Sequence, residues 1–209
     1  MFLFKPKKPE EPKKEEVSKA NIDLGIITKM NQEFAVSLDL NDTLNTALKV
    51  IIGRINAQAA NIFLINEKEK KFECIASLNQ DYLDEYKLDL KDGVMGKAIE
   101  QKKCIRVGDV RKDVREIAEF YFDLDNKTNF TTFSVLCSPL IAGNESIGVI
   151  HCLNKKTDNK LFQEEDRQLL ETLSAPAAFA IRNAKMAKDM IEKNKIQKEV
   201  EIVGEIQKS

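Results

Sequence analysis

The apolar residues of this chain change their spacing along its 209 positions, and the order of those changes restricts the fold more than any single motif. From Ile22 they fall at Ile26, Ile27, Met30, Phe34 and Leu38, three or four apart, which draws one stripe down a helix. Leu44, Leu48, Ile51, Ile52 and Ile55 repeat the pattern, and Asn41 and Asp42 ahead of them offer capping oxygens to a second helix. After Gln58 the helical spacing stops. Residues 62–65 and 72–76 read as short strands around a polar hairpin turn at 66–71. Asp92 and Gly93 precede an amphipathic segment, 94–101, then a strand at 104–107 and an acidic helical stretch at 114–124. A second strand pair, 132–141 and 147–153, flanks a turn at 142–145. Two helices, strands interrupted by short helices, and a closing helix predict an α+β fold, a central antiparallel sheet with helices on both faces and long helices at both ends.

The closing helix begins near Gln163 and meets no glycine until Gly204. Leu170, Leu173, Ala177, Ala180, Ala184, Ala187 and Ile191 form a heptad-like seam whose small residues admit a second helix closely, which predicts a homodimer joined through coiled-coil pairing of its N- and C-terminal helices. The apolar phase then shifts to Ile196, Val200 and Val203, a discontinuity that rewinds a coiled coil locally. Pro176 removes one backbone donor at a cost of about 3 kcal/mol and predicts a kink.

Residues 5–19 alternate Lys, Pro and Glu and bury too little apolar surface to offset the entropy of ordering. The expected organisation is a disordered tail at 1–19, an N-terminal helix at 20–38, a sensor domain at 39–188 and a signalling helix at 189–209. A net charge of -1 and a pI near 6.0 give no electrostatic surplus for nucleic acid. No stretch reaches the roughly 20 apolar residues that span a bilayer, and residues 1–4 are too short for a signal-peptide core, so a cytoplasmic protein without membrane contact is expected.

Cys74, Cys104, Cys137 and Cys152 lack the paired spacing of a zinc site and read as small buried hydrophobes, with an oxidant-sensing thiol as the alternative. One histidine, His151, and no serine or cysteine placed beside a base leave no hydrolytic triad, so the chain is expected not to be an enzyme and to require no cofactor or metal.

The segment from Leu40 to about Lys188 resembles a GAF domain. Residues 125–132, Asp-Asn-Lys-Thr-Asn-Phe-Thr-Thr, followed by Ser134 to Leu140, are similar to the corresponding stretch of the cyclic-nucleotide-binding GAF domains of phosphodiesterases and some bacterial adenylyl cyclases. Asn154-Lys155 with Phe162 and Asp166 downstream match most of that subfamily's Asn-Lys…Phe-x-x-x-Asp-Glu signature, with Arg167 in place of the glutamate. The resemblance implies a structural latch from Lys155 to Asp166 at the start of the final helix, worth under about 1 kcal/mol as an exposed pair.

The resemblance also implies a ligand, cAMP or cGMP, and places its site. Thr128 and Thr132 correspond to hydroxyls that reach the purine, and Asn61, Leu78 and Asn79 to strand positions lining the base. Val94 and Met95 offer backbone N–H groups at a helix start, Tyr121 stands near the phosphate, and His151 replaces an acidic residue of the relatives. For the threonines, the ordinary alternative is strand and turn preference.

The closing run from Lys198 to Ser209 resembles the helix that precedes metal-dependent serine phosphatase domains of the SpoIIE type. It implies a regulatory region covalently linked to a phosphatase domain beyond residue 209. The expected function is a sensor that binds a small molecule and moves its final helix; the alternatives are a dimerisation scaffold with a vestigial pocket filled by its own side chains, and a cysteine-based redox sensor. A haem or bilin sensor is disfavoured by the single strand histidine and the absence of a chromophore-attachment cysteine.

Overall fold

The computed structural model describes residues 25, 28, 32, 39–80, 87–113 and 115–206. The tail expected at 1–19 lies outside them, and of the helix expected at 20–38 only Gly25, Thr28 and Gln32 are described, each helical.

Helix α1 (Leu40–Ile55) buries Leu44, Leu48, Ile51 and Ile55, the stripe read from the sequence. Its cap differs from expectation. Asp39, in extended backbone, accepts from the backbone N–H groups of Asn41 at 2.8 Å and Asp42 at 3.0 Å, so those two residues belong to the first turn rather than ahead of it. The chain continues through β1 (Ala57–Asn66), β2 (Lys71–Leu78) and β3 (Lys87–Asp89), then α2 (Gly93–Gln101), β4 (Ile105–Val107), a 3-10 turn at Val110–Lys112 and α3 (Arg115–Thr128). Strands β5 (Val135–Ala142) and β6 (Glu145–Lys155) lead into α4 (Glu164–Ile206). Three-residue β3 and the 3-10 turn are too short to show a period, and neither was foreseen.

The six strands form one antiparallel sheet in the order β3-β2-β1-β6-β5-β4. β1 and β6 pair at its centre, where a Cβ at Gly148 would collide with the carbonyl oxygen of Phe63. Alternation along the strands divides the interior in two. Ile62, Leu64, Leu136, Leu140 and Ile150 face α1 and α4; Phe63, Phe72, Val135, Cys137 and Val149 face α2 and α3.

Helix α4 runs 43 residues through Pro176, about 65 Å at 1.5 Å per residue. Leu170, Leu173, Ala177 and Ala184, expected to await a twin, are buried instead, the first three in the molecule's own core against α1 and the sheet. From Lys188 to Glu201 every residue is exposed, Met190, Ile191, Ile196 and Val200 among them. The expected boundary at 188/189 marks where the helix leaves the body of the domain rather than a break in it.

Candidate functional site

Beneath α3 the sheet carries polar side chains where apolar ones would pack more simply. Asn61 on β1 and His151 on β6 are register partners, 1% and 0% exposed. From above, Tyr121 and Thr128 descend, seven residues apart on one face of α3 and both buried. The Tyr121 hydroxyl and His151 Nε2 lie 2.7 Å apart, with the two rings stacked at 5.8 Å. Burial pushes the His151 imidazole down to about 3 and the Tyr121 phenol well above its usual range, so both are neutral at pH 7. His151 Nδ1 is buried with no hydrogen-bond partner among the described residues.

Asn61 Nδ2 donates to the side-chain oxygen of Gln80 at 2.7 Å, and Gln80 Nε2 donates to Thr128 Oγ1 at 3.2 Å. Gln80 thus joins the sheet to α3 from within the space between them. The open concavity lies along the flank of α3, a cleft of about 870 Å³ whose walls include Arg111, Phe122, Asn126, Phe130 and Thr131. Of the residues expected to hold a ligand, Tyr121 and Thr132 line it. Thr132 is fixed there by Asp125, which accepts from its backbone N–H at 2.7 Å and its hydroxyl at 2.6 Å. Burial raises the Asp125 carboxyl, while the bonds from Thr132 and the charge of Arg111 oppose the rise.

Asn61, Tyr121, Thr128 and His151 therefore meet beneath α3, with Thr132 beside them. Leu78 does not join them: it packs against the core on the opposite face, because alternation along β2 turns it away from Ser77, the partner of Asn61. Asn79 is exposed, in left-handed backbone at φ 65°, and its amide ties the end of β2 to the carbonyl of Gln58 at 3.0 Å. Val94 and Met95 bury their side chains in the α2–α3 core; the first turn of α2 takes no side-chain cap, and neither residue lines the cleft. Gln80 and Asp125 were missed. Asp125 shares the helical face of Tyr121 and Thr128, so spacing alone could have found it; Gln80 follows a strand end and has no such signal.

The Asn-Lys…Phe…Asp residues form a clamp. Asn154, at φ 55°, accepts from the backbone N–H of Phe133 at 2.7 Å and donates to the Thr131 carbonyl at 2.7 Å and Gln58 Oε1 at 2.9 Å, holding the loop that carries Thr132 against β6. Lys155 Nζ lies 2.6 Å from Asp166 and donates to the Ile55 carbonyl at 2.7 Å. Asp166 also accepts from the Gln163 N–H at 2.8 Å. The two side chains are 13% and 12% exposed, so the pair is largely shielded rather than an exposed surface pair. Phe162 is fully buried between them in sequence. Arg167, in place of the glutamate, bridges Glu164 and Glu171 on the surface of α4, and the latch closes without it.

All four cysteines are buried. Burial pushes the Cys104 thiol up to about 12 and raises those of Cys137 and Cys152, which holds these three as poorly nucleophilic thiols. Among the described residues, no helix is long and apolar enough to cross a membrane.

The family model that matches residues 37–182 is the GAF domain. A probable 3',5'-cyclic phosphodiesterase of Caenorhabditis elegans, pde-5, is 24% identical over 143 residues, 63% of this chain and 19% of that one. Dual 3',5'-cyclic-AMP and -GMP phosphodiesterase 11A of Takifugu rubripes is 30% identical over 95 residues, 45% of this chain and 10% of that one. The chain thus spans a fifth or less of the length of these curated relatives. Among solved structures, the GAF domain of a Coxiella burnetii phosphoenolpyruvate-protein phosphotransferase superposes with a TM-score of 0.64 at 18% identity, over 80% of this chain and 96% of that chain. A free methionine-R-sulfoxide reductase of Neisseria meningitidis does so at 0.62 and 19%, over 81% and 93%.

Proposed function

The chain belongs to the GAF domain family, and on that premise we propose that it is a regulatory sensor that takes a cyclic nucleotide, cAMP or cGMP, at the α3 face of its sheet. The reading is carried by one observation: Asn61, Tyr121, Thr128 and His151, drawn from β1, α3 and β6, converge on a single buried polar layer next to the cleft that Thr132 borders. Buried polar groups cost free energy unless satisfied, and an apolar layer would stabilise the fold more simply. Similarity to parts of cyclic-nucleotide phosphodiesterases supports the ligand class.

Binding near Thr132 reaches α4 through contacts already present. Asn154 links the Thr131–Ser134 loop to β6, and the next residue, Lys155, is bonded to Asp166 in the first turn of α4. A ligand that prefers one position of the loop therefore biases the helix, provided its affinity differs between the two positions. In this reading the protein is cytoplasmic and α4 pairs with that of a second copy, and it controls a covalently linked serine phosphatase domain of the SpoIIE type. Isothermal titration with cAMP and with cGMP tests the ligand; no heat and no thermal shift at millimolar nucleotide removes it.

A second reading, a dimerisation scaffold with a vestigial pocket, is favoured by the way Gln80 already satisfies Asn61 and Thr128, together with the exposed apolar residues of α4. It predicts a dimer in sedimentation with no nucleotide affinity.

A further inference from the structure

Gln80 stands two residues beyond the end of β2, yet it is 5% exposed, and its amide bridges the sheet and α3. Its oxygen accepts from Asn61 and its nitrogen donates to Thr128. Both neighbours are anchored in turn. The Ser77 hydroxyl reaches Asn61 Oδ1 at 2.8 Å, and the Thr128 hydroxyl donates to the Leu124 carbonyl of its own helix at 2.9 Å. Reversing both side-chain amides swaps donors for acceptors along this chain and leaves the requirement on the central group the same, one donor and one acceptor.

We infer that Gln80 is a tethered occupant of the ligand site, its primary amide standing where the hydrogen-bonding edge of a small molecule goes. Withdrawing it leaves a buried amide and a buried hydroxyl each short of a partner, so the exchange is favourable only for a molecule that replaces both bonds. That molecule carries a donor and an acceptor on neighbouring atoms. The lactam edge of guanine, the amidine edge of adenine and a simple primary amide all meet this demand; a hydrocarbon, a phosphodiester or a tertiary amide does not. The identity of the ligand rests on the cyclic-nucleotide reading, whereas the role of Gln80 rests on the bridge itself.

The two are separable by experiment. Gln80→Ala in the full chain empties the amide's place; its Tm falls, and millimolar acetamide restores part of the loss while N,N-dimethylacetamide, which has no donor, does not. An equal response of wild type and Gln80→Ala to acetamide overturns the inference. In calorimetry with cGMP and cAMP, Gln80→Ala binds about tenfold tighter than wild type, the factor expected if Gln80 vacates the site in roughly one molecule in ten. Gln80→Met, which keeps the volume and loses the amide, gives the same comparison if the Ala variant does not fold. Affinity unchanged or weakened by either substitution overturns the inference. No heat with any of the proteins sinks the cyclic-nucleotide reading, and the acetamide result then decides the role of Gln80 alone.

Discussion

On the side of the sheet covered by α1 and α4, Leu44, Leu48, Ile51, Leu170 and Leu173 meet Ile62, Leu140 and Ile150, and the buried hydroxyls of Thr43 and Ser174 bond to backbone carbonyls four residues back in their own segments. On the side covered by α2 and α3, Phe63, Met95 and Val149 share the layer with Asn61, Gln80, Tyr121, Thr128 and His151. Both layers exclude solvent. The first is held by contact area, which tolerates small displacements, and the second also by directional bonds, each of which must be kept or replaced. An interior that can exchange one set of bonds for another is the side on which a small molecule can compete, and the α1–α4 side is the one that seats the first half of the long helix.

The largest effect that sharpens this contrast is expected where a charge intrudes on the α1–α4 side. Asp166→Ala leaves the Lys155 ammonium, 13% exposed, with the Ile55 carbonyl as its remaining partner. It should cost about 3–5 kcal/mol in urea denaturation; a loss under about 1 kcal/mol would mean that water reaches the pair and that this side is not sealed. Next comes Leu173→Ala, a fully buried side chain between α4 and the sheet. A loss of about 3 kcal/mol is expected in the same measurement; a loss under about 1 kcal/mol would show that the seat of α4 is not closely packed.

The third test belongs to the polar side and depends on pH. His151 is depressed from 6.5 to about 3 in the fold. Below pH 6.5 the unfolded chain takes up a proton that the folded chain refuses, so stability is full above that value and declines as pH falls toward 3. Between about pH 8 and about pH 5 the wild type should lose about 2 kcal/mol that His151→Gln does not lose, measured by urea denaturation at both pH values. Parallel curves for the two proteins would show that the imidazole is hydrated. The smallest effect is expected at Thr132→Ala, which removes one hydroxyl bond to Asp125 and keeps the backbone bond. About 1 kcal/mol of stability should go, together with about tenfold in nucleotide affinity; undiminished binding would move the ligand away from the cleft.

Several features were legible before any coordinates. The stripe of α1, the two hairpins and the extent of α4 follow from local periodicity, and a period is a property of neighbours in sequence. The clamp was legible as a motif, but not its depth: Lys155 and Asp166 are eleven residues apart, and the bond from Lys155 to the Ile55 carbonyl at the end of α1 depends on tertiary packing. The resemblance places Leu78 with Asn61 at the ligand, yet along a strand one position is the difference between the two faces of a sheet, and Leu78 faces the other one. The seam of α4 was legible as apolar, and its first residues are covered by the molecule's own core, since a pattern states that a face must be covered and not by what.

The sequence by itself determined the α+β order of elements, which depends on residue type and short spacing, and the family; Tyr121, Thr128 and Thr132 entered only as what the family resemblance implies. Only the tertiary structure decided that Gln80 bridges Asn61 to Thr128, that Asp125 holds Thr132, and that the first half of α4 is spent on its own domain. Those contacts join segments far apart in the chain, and which groups meet is set by how helices and sheet pack together once water is expelled.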